Sequence, residues 1–257
     1  MELLFPMQST KIYVISFPKV GRTWLKMLIC KYLCEVNNLP EKLMLKFRTW
    51  NITKRCNLPR TVFRHDFSSN PIKHYKSLSS NKSFYSQHKV VLLTRDIKDT
   101  LVSCYFEFTN RTGRYKGSIS EFIRDDYYGA RKFLIFYKYW YESKHVPKDF
   151  LLIDYEELYE DAGKVLYDVL KFIGVDSIEQ ETLQRAVNFS SFDNLRSMEE
   201  TGLFDSERLS PGDIDDPESF KFRKGKVGGY KEYLSREDIE YIDNLVGEVG
   251  KGYGSTS

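Results

Sequence analysis

Cysteine is scarce: the 257 residues hold four, Cys30, Cys34, Cys56 and Cys104, none in a C-x-x-C pair. That spacing supplies no zinc or redox motif. Cys30 and Cys34, four apart on one helix, suit packing at least as well as bridging. All four are expected as reduced thiols of a cytoplasmic protein. Long apolar runs are also missing. No stretch approaches the roughly 18 apolar residues that cross a bilayer, and Met1 to Gln8 lacks the basic-then-apolar order of a signal peptide. Charge of one sign is not in excess: 39 Lys and Arg stand against 36 Asp and Glu, a formal net charge of +3. The basic residues are interspersed with acids, which argues against a nucleic-acid partner. The triphosphate loop G-x-x-x-x-G-K-S/T does not occur, nor does a convincing set of metal ligands.

What remains is an ordinary globular composition, with 41% hydrophobic and 29% charged residues. The length fits one domain over 1–257 better than two. Aromatics reach 15%, enough for an aromatic-lined pocket or, equally, a Tyr-rich surface. Lys11 to Phe17 (KIYVISF) and Lys89 to Thr94 (KVVLLT) have the β-branched, apolar profile of buried strands. Thr61 to Arg64 and Phe150 to Ile153 read as two more. Helical spacing predicts helices at Arg22–Val36, Lys98–Phe108, Ser118–Tyr127, Ala130–Ser143, Gly163–Phe172, Ile178–Asn188 and Phe192–Glu199, and one from Ser235. Leu39 to Pro59 reads as irregular, 201–219 as a mobile loop rich in Gly, Pro, Asp and Ser, and 248–257 as a frayed tail. Alternating strands and helices imply an α/β fold with a central parallel sheet flanked by helices. Ligands of such sheets bind at the carboxyl ends of the strands, which puts Pro18 to Gly21, His65, Arg95 and Tyr155 on one rim.

Three segments carry chemistry. Ser16 to Trp24 (SFPKVGRTW) joins a strand to a helix N-terminus, where open N–H groups and the positive dipole end favour phosphate. Gly21 permits close backbone approach, Lys19 adds a charge, Thr23 a hydroxyl, and Trp24 a face for stacking a base, worth about 1–3 kcal/mol. A plain βα turn with an exposed lysine is the bland alternative. Arg95 to Ser103 (RDIKDTLVS) follows the second buried strand, and Arg95 can grip a phosphate bidentately. Phe222 to Gly229 (FRKGKVGG) sets adjacent cations beside glycines, which suits a phosphate clamp or a solvated basic loop.

The three segments, in this order and spacing from about residue 11 to 233, resemble the sulfotransferase family that uses 3′-phosphoadenosine 5′-phosphosulfate (PAPS). The resemblance implies a P-loop-like sulfotransferase fold, PAPS as donor substrate and PAP as product, with no metal required. Pro18 to Trp24 is similar to the family's 5′-phosphosulfate loop and implies Lys19, Val20, Gly21, Arg22, Thr23 and Trp24 as nucleotide contacts. Arg95 and Ser103 resemble its 3′-phosphate motif; Arg223, Lys224 and Gly225 resemble its C-terminal clamp. Tyr155 resembles an adenine-contacting tyrosine, and Ser190, Ser191 and Phe192 a stretch flanking the adenine, which implies Ser191 and Phe192 as contacts. His65, of the four histidines His65, His74, His88 and His145, ends a strand on the rim and occupies the place of the family's base. Lys19 is expected to stabilise the leaving phosphate oxygen, and Ser103 to restrain Lys19 until an acceptor binds.

The chain departs from the family pattern at Val20 and Arg22, at Phe63 and Phe67 around the histidine, and at Gly229 and Tyr230, and the dimerisation signature is not apparent. A divergent branch of bacterial type is expected, with oligomeric state open. The partner is a small-molecule acceptor that the sequence does not identify; the aromatic stripe of Arg131 to Glu142 is read as core before pocket. A P-loop-type kinase and a non-catalytic PAP-binding module are the rival readings.

Overall fold

The two apolar runs pair with each other at the centre of a four-stranded, all-parallel sheet. A computed structural model describes residues 10–46, 49–66, 73–204, 206 and 209–249; Met1 to Gln8, Phe67, three positions of the 201–219 segment and the tail from Gly250 lie outside them. The strands are β1 (Ile12–Ser16), β2 (Thr61–Arg64), β3 (Lys89–Thr94) and β4 (Asp149–Asp154), ordered β2-β1-β3-β4. β1 is wholly buried and β3 nearly so, as expected of strands covered on both faces. The edge strands β2 and β4 are more exposed. Register sets Ile12 opposite both Thr61 and Lys89, and Lys89 opposite Asp149, so all four strands end at about one level. The Tyr137 hydroxyl accepts from Phe17 N–H at 3.3 Å and donates to Leu93 O at 2.7 Å, which stitches the ends of β1 and β3 together.

Helices flank the sheet in two groups. α1 (Arg22–Val36) packs with α2 (Lys42–Leu45), α3 (Thr49–Arg55), α8 (Ala162–Ile173) and α9 (Gln180–Phe189). α4 (Ile97–Phe106) packs with α5 (Ile119–Arg124) and α6 (Ala130–Glu142), and α6 with α11 (Arg236–Val249). Two short helices complete the set, α7 (Tyr155–Glu160) and α10 (Phe192–Glu200).

Several expectations need correction. The Leu39–Pro59 segment is not irregular: it holds α2 and α3, anchored by buried Met44, Ile52 and Thr53. The helix predicted to Tyr127 stops at Arg124, because the Asp125 carboxylate accepts the N–H groups of Tyr127 and Tyr128 and turns the chain. Its capping box is present, with Ser118 Oγ accepting from Glu121 N–H and Glu121 from Ser118 N–H. The helix predicted to Phe108 is regular only to Phe106 and continues as a π-helical turn, Glu107–Arg111. On α6 the aromatic stripe is core: Phe133, Phe136, Tyr137 and Trp140 are at most 2% exposed. The described part of 201–219 lies against the π-helical turn, where Arg111 donates to Ser210 O and a Cβ on Gly212 would meet Asn110 O at 2.7 Å.

Candidate active site

The order β2-β1-β3-β4 reverses direction between β1 and β3, and a crevice opens where the two following loops part. The cleft there has about 320 Å³ of free volume. Thirteen of the residues singled out from sequence line it: Lys19, Gly21, Arg22, Thr23, Trp24, His65, Arg95, Ser103, Tyr155, Phe192, Arg223, Lys224 and Gly225. Val20 and Ser191 do not. The Val20 side chain is fully buried in the core, and Ser191 caps α10 by accepting from Asn194 N–H.

The first βα turn is built for close approach. Gly21 is the N-cap of α1 at φ 80, and a Cβ there would sit 2.6 Å from the Tyr155 ring. Leu25 N–H closes the first helical bond on Gly21 O, and among the described residues no side chain caps the helix. The first-turn N–H groups, with the positive dipole end, are therefore available to an anion. Opposite, the Arg95 guanidinium lies 4.2 Å over the Tyr155 ring and donates to Lys19 O and Lys226 O at 3.1 Å. Its Nε is buried with no hydrogen-bond partner among the described residues. Such an orphan donor beside an uncapped helix start fits an anionic ligand.

The basic C-terminal segment reaches this rim because two buried carboxylates hold its backbone. Asp99 on α4 accepts from Gly228 N–H at 2.6 Å and Tyr230 N–H at 2.9 Å. Glu199, 1% exposed at the end of α10, accepts from Lys221 N–H and Phe222 N–H. Gly225, at φ 55, packs so tightly on Phe192 that a Cβ would lie 2.3 Å from the ring. The cations are not idle: Arg223 pairs with Glu218 at 2.6 Å, and Lys224 with Glu232 at 2.9 Å.

His65 follows β2 directly. Its Nε2 lies 2.6 Å from Arg22 Nη2, and its Nδ1 lies 2.9 Å from Ser16 O. Because a guanidinium only donates, Nε2 is the acceptor and Nδ1 carries the hydrogen given to Ser16. Burial and the neighbouring Arg22 charge hold the imidazole well below its ordinary pKa, so it is a neutral ring whose Nε2 lone pair accepts from Arg22 at the cleft. The adjacent Asp66 carboxylate accepts from Lys82 at 2.6 Å and the Tyr85 hydroxyl at 2.8 Å, which fixes the end of β2. His88 is buried and accepts from Lys11 N–H, and His74 pairs with Asp126 at 3.1 Å.

Lys19 has φ 66, and its Nζ donates to Glu107 Oε2 at 2.8 Å and Lys221 O at 3.2 Å. The expected bond to Ser103 is not made; among the described residues nothing joins the two, because Glu107, one helical turn beyond Ser103, takes the ammonium. Glu107 also binds Arg111 at 2.6 Å and Lys221 at 3.2 Å. Burial alone would raise its carboxyl, but Lys19, Lys221 and Arg111 reverse this and hold it well below the carboxylate range. Burial and the Lys19 charge lower the Lys221 ammonium to about 8. Glu107 was legible only as a residue four after Ser103. Asp99, Glu199 and Lys221 gave no local signal, since their partners are distant in sequence. Among the described residues no group of three or more His, Cys, Asp or Glu could hold a metal, and no helix is long and apolar enough to cross a membrane.

The chain matches the sulfotransferase domain family over residues 9–254 and belongs to it. It is a PAPS-dependent sulfotransferase. It is 27% identical to cytosolic sulfotransferase 12 of Arabidopsis thaliana, covering 97% of this chain and 80% of that protein. It is 28% identical to human sulfotransferase 2A1, covering 95% and 85%. Among solved structures, mouse sulfotransferase SULT7A1 complexed with PAP superposes with a TM-score of 0.64 at 23% identity, over 95% of this chain and 85% of that one. Retinol dehydratase in a complex with retinol and PAP gives 0.69 at 18% identity, over 98% and 84%.

Proposed function

We propose that the protein transfers a sulfuryl group from PAPS to a hydroxyl or amine of a small-molecule acceptor in the cytoplasm, releasing PAP, with His65 as base and Lys19 at the leaving phosphate. The observation that carries this reading is the convergence of His65, Lys19 and Arg95 on one cleft. The α1 N-terminus with Gly21, Arg22 and Thr23 is assigned to the 5′ end of the donor. Arg95, Ser103, Arg223, Lys224 and Gly225 are assigned to the 3′-phosphate, and Trp24, Tyr155 and Phe192 to the adenine. When bound, the donor supplies a sulfuryl group whose transfer leaves negative charge on a phosphate oxygen. Lys19 then stabilises that oxygen from a site where water is scarce. His65 Nε2, neutral because of its surroundings, accepts the proton that the acceptor loses as it attacks. Arg22 must give up its hydrogen bond to Nε2 for this, and an anion at the α1 N-terminus offers the guanidinium an alternative partner.

The test is a calorimetric titration with PAP and AMP, followed by PAPS turnover on a panel of phenols, sterols, sugars, alcohols and amines. PAP is expected to bind more tightly than AMP. On an accepted substrate, His65→Ala and Lys19→Met should each lower kcat by about 10²–10⁴-fold, with PAP affinity little changed in His65→Ala. Equal affinity for PAP and AMP sinks the nucleotide assignment. Turnover unaffected by His65→Ala sinks the base.

A further inference from the structure

Most cations of the cleft are committed to partners within the protein. Among the described residues, every lysine and arginine of its lining except Arg114 has one: Glu107, Glu218 or Glu232, a backbone carbonyl, or His65. The exposed Arg114 guanidinium has neither an ion pair nor a hydrogen bond among them. Its backbone, by contrast, is well held. Arg114 N–H donates to Phe108 O at 2.7 Å, Tyr115 N–H to the same oxygen at 3.0 Å, and Thr112 Oγ1 to Glu107 O at 2.9 Å. The Tyr115 ring packs edge-on against Phe122 at 5.0 Å and Tyr128 at 5.3 Å. The chain thus folds back on the π-helical turn, a geometry that recurs at functional sites, and presents Arg114 to the cleft.

This turn stands at the His65 end. Its first residue, Glu107, and Lys221 both act on the imidazole charge. Phe108 and Thr112 line the same cleft, and neither has a part in holding the nucleotide. On the assignment above, the donor's phosphate and sulfate charges are offset by Lys19 and Arg22. Glu107 is outnumbered by Lys221 and Arg111, and Arg114 adds a further positive charge. An apolar acceptor such as a sterol would strip water from these ions without replacing its hydrogen bonds.

We infer that the acceptor carries, apart from the hydroxyl or amine that is sulfated, an anionic group that binds the Arg114 guanidinium; the inference rests on the proposed transfer to an acceptor at His65. A carboxylate and a phosphate ester share the chemistry, since both offer paired oxygens to the planar fork of an arginine. In turnover the acceptor atom bonds to sulfur and its proton passes to His65 Nε2. The bond from sulfur to the phosphate oxygen breaks with its electron pair on PAP. Arg114 takes no part in these steps. It determines specificity by holding the acceptor away from the reacting atoms, so its effect belongs in KM more than in kcat.

The test sets matched acceptors against each other: an aromatic and an aliphatic hydroxy acid against their methyl esters, and glycerol phosphate against glycerol. Wild type should turn over the charged member of an accepted pair with kcat/KM about tenfold higher. Arg114→Met should raise KM for that member by about tenfold and leave the neutral member and PAP affinity unchanged. Arg114→Lys, which keeps the charge without the fork, should recover part of the loss. The carboxylate and phosphate arms tell which anion is bound. Preference of wild type for the neutral members overturns the inference, as does an Arg114→Met that slows both members alike or weakens PAP binding. So does a wild type that neither turns over nor, with PAP bound, binds any charged member. Each of these outcomes leaves the nucleotide assignment standing, and the loss of kcat in His65→Ala tests the underlying reading separately. A wild-type protein that binds PAP no more tightly than AMP overturns that reading and the inference with it.

Discussion

At the scale of single residues, the protonation of His65 is governed by what surrounds it. Burial and the Arg22 guanidinium both disfavour the imidazolium, so the folded-state pKa lies well below 6.5. A base acts only when neutral. Activity is therefore retained as pH falls through 6.5 and is lost only at the lower, folded value. Replacing Arg22 with Met removes the larger of the two charges that lower it, Lys221 being the other, and the acid limb of the kcat/KM profile, which reports the free enzyme, should move upward toward 6.5. A limb that stays put, or moves down, contradicts the assignment of Arg22 as the nearby charge. Residue type at position 65 was readable in the sequence. Its tautomer was not, because Ser16 O and Arg22 reach the ring only through the fold.

At the scale of elements, the decisive feature is how the basic segment is held on the rim. Asp99 and Glu199 each accept two backbone N–H bonds from 221–230. A hydrogen bond to a charged group contributes about 1.5–3 kcal/mol when buried, so these four anchors offset much of the backbone entropy lost in ordering the segment, about 1–2 kcal/mol per residue. Gly225 is the pivot, at φ 55 and against Phe192. Gly225→Ala forces either the left-handed strain of an L-residue or displacement of the Phe192 ring. PAP binding should weaken by roughly tenfold for about 1–2 kcal/mol of strain, measured by calorimetry, with Tm within a few degrees of wild type. An unchanged dissociation constant would remove Gly225 and Phe192 from the nucleotide site. The segment's cations were legible as a cluster, but their ion pairs with Glu218 and Glu232 were not. Lys226 and Lys224 pull the Glu232 carboxyl down to about 2, a pairing that follows from the turn the segment makes.

At the scale of the whole molecule, the cleft lies between the loops after β1 and β3 and the C-terminal segment, so a ligand bridging all three ties distant parts of the chain together. PAP at a hundred times its dissociation constant should stabilise the fold by about 2.7 kcal/mol. For a chain of this size that raises Tm by roughly 5–10 °C, and AMP at the same concentration should raise it less. A thermal shift no larger for PAP than for AMP would speak against joint grip by the three segments.

The strands, most helices and the α/β class follow from the sequence because their signals are local: β-branched runs buried on both faces, helical spacing, a capping box at Ser118. The rim position of Lys19, His65 and Arg95 follows too, since in a parallel sheet it depends only on which residue comes after each strand. Tertiary structure alone decided the rest. That Lys19 is held by Glu107 and not Ser103, that Arg22 donates to His65, that Val20 turns into the core, and that Asp99 and Glu199 anchor the basic segment all involve partners far apart in sequence or a helix that changes its pitch at Glu107. A charge pattern along the chain says which ions are present. Only their separation across the folded cleft says which of them pair.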